Sequence, residues 1–341
     1  EGFALGGGVL SLAYAYPIIP AEPSTAAERP MPVPYGDFQF AEASFYLVAL
    51  DYPGNLVLAA PGAELDRRRA GARVQVLVAL GPARDFYLAL GRDLVSQTAR
   101  RGAVEVRSYA PKGAEEGSRL ALGTAVSALK DFEHRFGPYP YRRLTLVSVP
   151  FSSLGLEFPG LVMVARRLYD LGRSYDGIPA RVLLEATTAH EIAHQWFYAM
   201  VGSDQLLEPW IDESAAQYAT WLYYRDRYGE SAAQGFLDSL EQRWARVGRA
   251  EIPLGRPVRA YSPREYSAII YGRGPLFLRA LSERMGEEHF DSFLRELCAR
   301  YEWQLVTGSE VLAAAEASCS CELDDLWAQW VGTPESQAAR N

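Results

Sequence analysis

Lysine is nearly missing from this chain. Of 34 basic residues only Lys112 and Lys130 are lysines, and 42 acidic residues bring the formal charge to −8. A phosphate backbone demands concentrated Lys and Arg, so nucleic acid is excluded as a partner. Cysteine is scarce as well. Cys298, Cys319 and Cys321 cannot build a disulfide framework. The last two are spaced too closely for an easy bridge and no second pair completes a zinc knuckle, so all three read as buried or idle thiols. No apolar run approaches the roughly 20 residues that span a bilayer. The opening "EGFALGGGVLSLAYAYPIIP" is apolar, yet it lacks a basic n-region and is broken by glycines and prolines. That makes it a poor signal peptide as it stands, and nothing in the chain assigns a compartment.

The 341 residues suffice for two domains of ordinary size, and 49% hydrophobic with 22% charged residues is a globular balance. The front of the chain carries strand signals. "VLSLAYAYPII", "ASFYLVALDY", "LVLAA", "ARVQVLVAL" and "GAVEVRSYA" alternate or run apolar between Pro and Gly punctuation. Residues 21 to 37 read as an exposed proline-rich loop within this β-rich region. The character changes near Pro111. A helix over roughly 114–137 precedes two strands, "RRLTLVSVP" and "GLVMVA". From Pro179 onward the spacing predicts helices at 179–201, 209–228, 230–247, 275–285, 288–301, 308–318 and 323–331, with Gly202 as the left-handed cap of the first. The expected class is α+β: a β-rich domain over 1–108 and a mixed domain over 109–341.

Histidine is rare too, with four in the chain, and two of them lie four positions apart in "HEIAHQWF". On a helix His190 and His194 share one face, one turn apart, close enough to hold one ion. Glu191 is rotated by about 100° and can address a water on that ion. This is the H-E-x-x-H arrangement of zinc hydrolases. Chance would produce it in roughly one chain in a hundred of this length, so a third ligand has to be found. Glu213, in "WIDESAAQYATWLYY", follows His194 after eighteen residues. A turn ending near Trp210 and a second helix would carry its carboxylate back to the imidazoles, with Trp210, Ala216, Ala219 and Leu222 packing against the first helix. A glutamate in a first helical turn also complements the helix dipole.

H-E-x-x-H, eighteen residues, then E resembles the gluzincin aminopeptidases, the membrane alanyl aminopeptidase family that includes leukotriene hydrolases. "HEIAHQWF" is similar to that family's "HELAHQWFG", and "WIDESAAQY" to its "WLNEGFASY". "YSAIIYGRGPLFLRAL" looks like its tyrosine segment, which would make Tyr271 catalytic and place Tyr266 in the substrate site. "SLGLEFPGLVMV" sits where the family has G-x-M-E-N. Glu157 is retained, while Leu154, Leu156 and Phe158 depart from the pattern.

The resemblance implies a thermolysin-like catalytic domain over about 110–332, with 1–108 a partial version of the family's N-terminal β domain. It also implies one Zn²⁺ per chain on His190, His194 and Glu213, with Glu191 as general base and Tyr271 as oxyanion donor. Glu157 would hold the free amino terminus of a peptide substrate. The expected activity is removal of N-terminal residues. An endopeptidase or other hydrolase on the same zinc site, and a non-catalytic peptidase-like scaffold, are the alternatives. The strands missing from the front are expected in a preceding fragment of the same precursor.

Overall fold

The structure is a computed structural model that describes residues 3–17, 35–36 and 41–332. The proline-rich stretch read at 21–37 lies outside the described residues except for Tyr35 and Gly36. The chain divides into two compact units, one formed by 1–19, 41–131 and 139–195, the other by 20–40, 132–138 and 196–341.

The first unit is built on sheets. β1 (Phe3–Gly6), β2 (Val9–Ala13), β4 (Val57–Ala59) and β7 (Tyr87–Gly91) form one in the order β1-β2-β7-β4, while β3 (Ser44–Pro53), β5 (Ala63–Ala70) and β6 (Arg73–Ala83) form another in the order β3-β6-β5. The largest joins β8 (Leu94–Arg101), β9 (Val104–Pro111), β10 (Arg143–Val149), β11 (Gly155–Phe158) and β12 (Leu161–Ala165) in the order β11-β12-β10-β9-β8. β10 runs parallel to both β9 and β12, and the long connection between β9 and β10 contains α1 (Glu115–Phe136). Strands buried on both faces need continuous apolar sequence, which "RRLTLVSVP" and "GLVMVA" supply.

Val9, Tyr87, Leu94, Tyr109, Val147, Phe158, Leu161 and Met163 belong to one buried cluster. Each such side chain contributes about 1.5–3 kcal/mol on burial. The four-stranded and five-stranded sheets therefore share a core. The domain boundary expected between residues 108 and 109 falls inside β9, whose partners β8 and β10 lie on either side of it.

β5 has the sequence AELDRRRA and was not legible as a strand. Every residue in it is exposed, and pairing with β6 rather than apolar alternation holds it there, with Arg68 donating to Gln75 at 2.8 Å across the pair.

α2 (Ala180–Ala193) closes the first unit and packs on β11 and β12. The second unit is helical: α3 (Trp210–Tyr228), α4 (Glu230–Ala245), α5 (Pro263–Ala268), α6 (Gly274–Met285), α7 (Glu287–Arg300), α8 (Gly308–Cys319) and α9 (Asp324–Trp330). Gly229 and Gly286, at φ 79° and 85°, end α3 and α6 where the spacing predicts stops. Ser262 with Glu265 and Thr307 with Glu310 form capping boxes at the starts of α5 and α8.

Two expectations are corrected. The helix predicted over 179–201 stops at Ala193, and Gly202 is not its cap. Residues 196–202 instead form tight turns in which Val201 donates to the Trp196 carbonyl at 2.9 Å. They then pair with a later segment, Gly202 donating to Gln304 and Val306 to Gly202. The second correction concerns Cys319 and Cys321, which form a disulfide. Ser320 between them adopts a left-handed conformation (φ 50°), which brings the two Cα atoms to 5.2 Å, inside the range a bridge requires. Cys298 is the buried free thiol expected.

Candidate metal centre

The histidine pair sits at the end of α2 rather than along its middle. His190 lies in the last turn, and His194 is the C-cap residue (φ −63°, ψ −10°). Near-helical backbone at the cap preserves the one-turn stagger, so the two rings still meet, nearly perpendicular, with Nε2 atoms 3.2 Å apart. Two ligands about 2.0–2.1 Å from a tetrahedral ion lie ~3.3–3.4 Å apart, so the donor pair fits zinc. The buried stripe of α2 is Ala180, Leu184, Thr188 and Ile192. Val182, off that stripe, is exposed.

Glu157 is on β11, an edge strand antiparallel to β12, and its carboxylate is buried. One ligand-type atom each from Glu157, Glu191 and His194 lies within 4.8 Å of the others, and the same holds for His190, His194 and Glu213. Each set could hold a metal ion. The second has two imidazoles and one carboxylate, the donor set suited to catalytic zinc.

Gly155 and Gln195 hold these side chains in place. The backbone of Gly155 passes so close to Glu191 that a Cβ there would stand 2.1 Å from Oε1. Gln195, within "HEIAHQWF", accepts from the Gly160 amide at 2.8 Å and donates to the Phe158 carbonyl at 3.0 Å. It thereby clamps the β11–β12 turn to the end of α2, fixing Glu157 relative to Glu191. The signal for Gly155 was in the sequence: the glycine stands one position after the Leu154 that departs from the family motif.

Glu213 occupies the first turn of α3, where the helix dipole favours a carboxylate. Asp212 Oδ1 accepts from the Glu213 amide at 2.7 Å, and Gln205 donates to Asp212 Oδ2 at 2.7 Å. Trp210 packs edge-on to Phe277 and Trp327 in the second unit's aromatic core.

α5 passes into α6 through a π-helical turn, Ile269–Arg273, which carries Tyr271. Ser214 donates to the Ile270 carbonyl at 2.8 Å, and a Cβ on Gly274 would stand 1.9 Å from its oxygen. This close approach holds the π-turn against α3, and the Tyr271 hydroxyl donates to Glu213 Oε1. Tyr266 is buried between the rings of Tyr261, Tyr271 and Tyr35. Arg273, two residues beyond Tyr271, donates to the Trp330 and Gln329 carbonyls and stacks over the Trp330 ring, tying the turn to the end of α9.

Comparison with known proteins follows the same residues. The peptidase family M1 domain matches residues 120–330. "Aminopeptidase 2" of Candida albicans is 28% identical over 243 residues, covering 68% of this chain and 26% of that protein. "Alanine/arginine aminopeptidase" of Saccharomyces cerevisiae is also 28% identical over 243 residues, covering 68% of this chain and 28% of its own. The chain thus spans about a quarter of the length of the curated relatives it matches. Among solved structures, an M1 zinc metallopeptidase from Deinococcus radiodurans superposes with a TM-score of 0.64 at 21% identity, over 86% of this chain and 65% of that one. A variant two-domain M1 zinc metallopeptidase bound to L-tryptophan gives 0.65 at 22%, with coverage of 86% and 65%. These likenesses show the fold, a mixed one with sheets before helices.

Proposed function

The chain belongs to peptidase family M1, and on that premise we propose that it is a zinc-dependent aminopeptidase. His190, His194 and Glu213 would hold one Zn²⁺. Bound there, the ion supplies a Lewis acid and lowers the pKa of water from 15.7 to about 7. Glu191 accepts the proton of the attacking water and returns it to the leaving amine, general acid–base work by a carboxylate held against the Gly155 backbone. Glu157 accepts from the ammonium of the substrate's first residue, which selects free amino termini whatever side chain follows. Tyr271 donates to the carbonyl oxygen as negative charge develops on it. Its phenol is committed to Glu213 in this structure, so this role has it pivot from that carboxylate to the substrate.

What supports the reading above all is the buried group of Glu157, Glu191 and His194, in which the carboxylate proposed to bind the amine lies beside the proposed base and a proposed metal ligand. Substrates are peptides with a free N-terminus. Glu191→Gln is expected to keep its zinc, measured by metal analysis, and to lose about 10²–10⁴-fold in turnover of aminoacyl chromogenic substrates. N-acetylation of a peptide is expected to abolish its cleavage. Undiminished turnover by the variant, or equal cleavage of blocked and free peptides, overturns the roles given to Glu191 and Glu157.

A further inference from the structure

The end of α8 carries a group that the proposed reaction does not use. Cys319 and Cys321 are bonded to each other around a single residue. A cross-link stabilises a fold chiefly by restricting the unfolded chain, and that gain shrinks with the loop it closes. A loop with one residue inside it is therefore a weak staple. The backbone inside the loop is unfavourable as well. Ser320 is held at φ 50°, ψ 40°, left-handed backbone that glycine adopts freely and an L side chain resists. Ser320 is exposed and both cysteines are partly exposed, so a thiol in solution can reach the sulfurs. The third cysteine is the opposite case. Cys298 is fully buried, and burial pushes its thiol up to about 12, which leaves it unreactive.

We propose that the Cys319–Cys321 bridge is a thiol–disulfide exchange site, opened by a thiol reductant, that governs how firmly α9 is seated. The exchange with glutathione balances. One glutathione thiolate attacks a bridge sulfur and releases the other cysteine as a thiol; a second displaces the mixed disulfide. Two electrons and two protons pass to Cys319 and Cys321 as two glutathiones become their disulfide. What the bridge controls follows from its place. It closes the junction between α8 and α9, where the Glu316 carboxylate accepts from the amide of buried Leu323 at 2.9 Å. α9 has 7 residues, and the side chain of its N-cap residue Leu323 provides no cap. At the far end of α9 the carbonyls of Gln329 and Trp330 accept from Arg273 at 2.9 and 2.7 Å. Arg273 belongs to the π-helical turn that carries Tyr271. The closed bridge pins the start of α9. Once it opens, Ser320 leaves the left-handed region, the junction relaxes, and the carbonyls that hold Arg273 loosen with it. None of this depends on the aminopeptidase reading.

The test equilibrates the native protein in glutathione buffers of graded ratio, traps free thiols with iodoacetamide and counts the added groups by mass spectrometry. The oxidised chain is expected to gain none. The reduced chain should gain two, both mapping to Cys319 and Cys321, while Cys298 stays unlabelled. Ser320→Gly, which removes the penalty of the left-handed turn, should raise the ratio of squared reduced to oxidised glutathione at the midpoint by about 3-fold or more. Hydrogen exchange on the same samples should show the amides of 322–330 and 269–273 exchanging about 10-fold faster after reduction. The double variant Cys319→Ser with Cys321→Ser is expected to exchange at the fast rates in oxidising buffer too. A bridge that reduced glutathione opens only in denatured chains, a midpoint unmoved by Ser320→Gly, or α9 exchange that reduction leaves unchanged overturns the proposal.

Discussion

Glu191 and Gly155 are the pair on which the residue-scale account turns. A general base must stand within hydrogen-bonding reach of the proton it takes, so its carboxylate has to be held in place. The β11 backbone at Gly155 forms one wall of that placement. Gly155→Ala puts a methyl carbon where Oε1 now lies. Because the colliding atom is the tip of a flexible side chain, the fold survives and the carboxylate moves. Turnover is expected to fall at least about 100-fold while zinc content stays at the wild-type level. Loss of zinc together with activity would show that the glycine serves the metal site as a whole instead. Tyr271 makes the complementary point. Sequence resemblance assigned it a role by position, and the structure adds a partner, Glu213, that position alone could not name.

At the scale of elements, the helices of the second unit were legible almost throughout, because caps, glycine stops and 3.6-residue periodicity agree locally. α7, with Glu287 and Glu288 in its first turn, Phe290, Phe293, Leu294 and Leu297 buried and Gly286 before it, is a representative case. What was not legible depends on distant partners. β5 exists because β6 pairs with it, and the helix beginning at Ala180 stops at Ala193 because residues 196–202 pair instead with 303–306. The Cys319–Cys321 bridge likewise hinged on one left-handed serine that spacing could not reveal.

The start of α8 offers a prediction at this scale. The carboxylate of Glu208 accepts from the Gly308 amide, yet burial, with Asp204 and Glu310 adding like charge, raises its pKa. Asp204 is raised by burial as well. A carboxylate whose folded pKa exceeds its unfolded one gives stability that is present at low pH and lost as pH rises through the folded value. Wild-type Tm should therefore gain from these two groups as pH falls from 7 toward 5. Glu208→Gln keeps an acceptor for Gly308 and removes the charge, so the gain should shrink in the variant. An unchanged pH dependence of Tm, followed by calorimetry, would contradict this.

For the molecule as a whole, the described residues contain no helix long and apolar enough to cross a membrane. Each unit has its own interior: the sheet cluster around Phe158 and Tyr87 in one, the aromatic group of Trp210, Phe277 and Trp327 in the other. Of the proposed ligands, His190 and His194 belong to the last turn and cap of α2 and Glu213 to the first turn of α3. Metal affinity should accordingly appear as stability, since an ion that binds only the folded chain adds about 4 kcal/mol at a thousandfold excess over Kd. For a domain of this size that is worth ~2–4 °C in Tm per kcal/mol.

The most direct measurement is therefore zinc content and chelator-dependent Tm of the wild type beside Glu213→Ala. The account predicts about one zinc per wild-type chain, a Tm that falls on chelation and recovers with Zn²⁺, and a variant that holds little zinc and whose Tm the chelator leaves unmoved. A variant that keeps its zinc with wild-type affinity would contradict it.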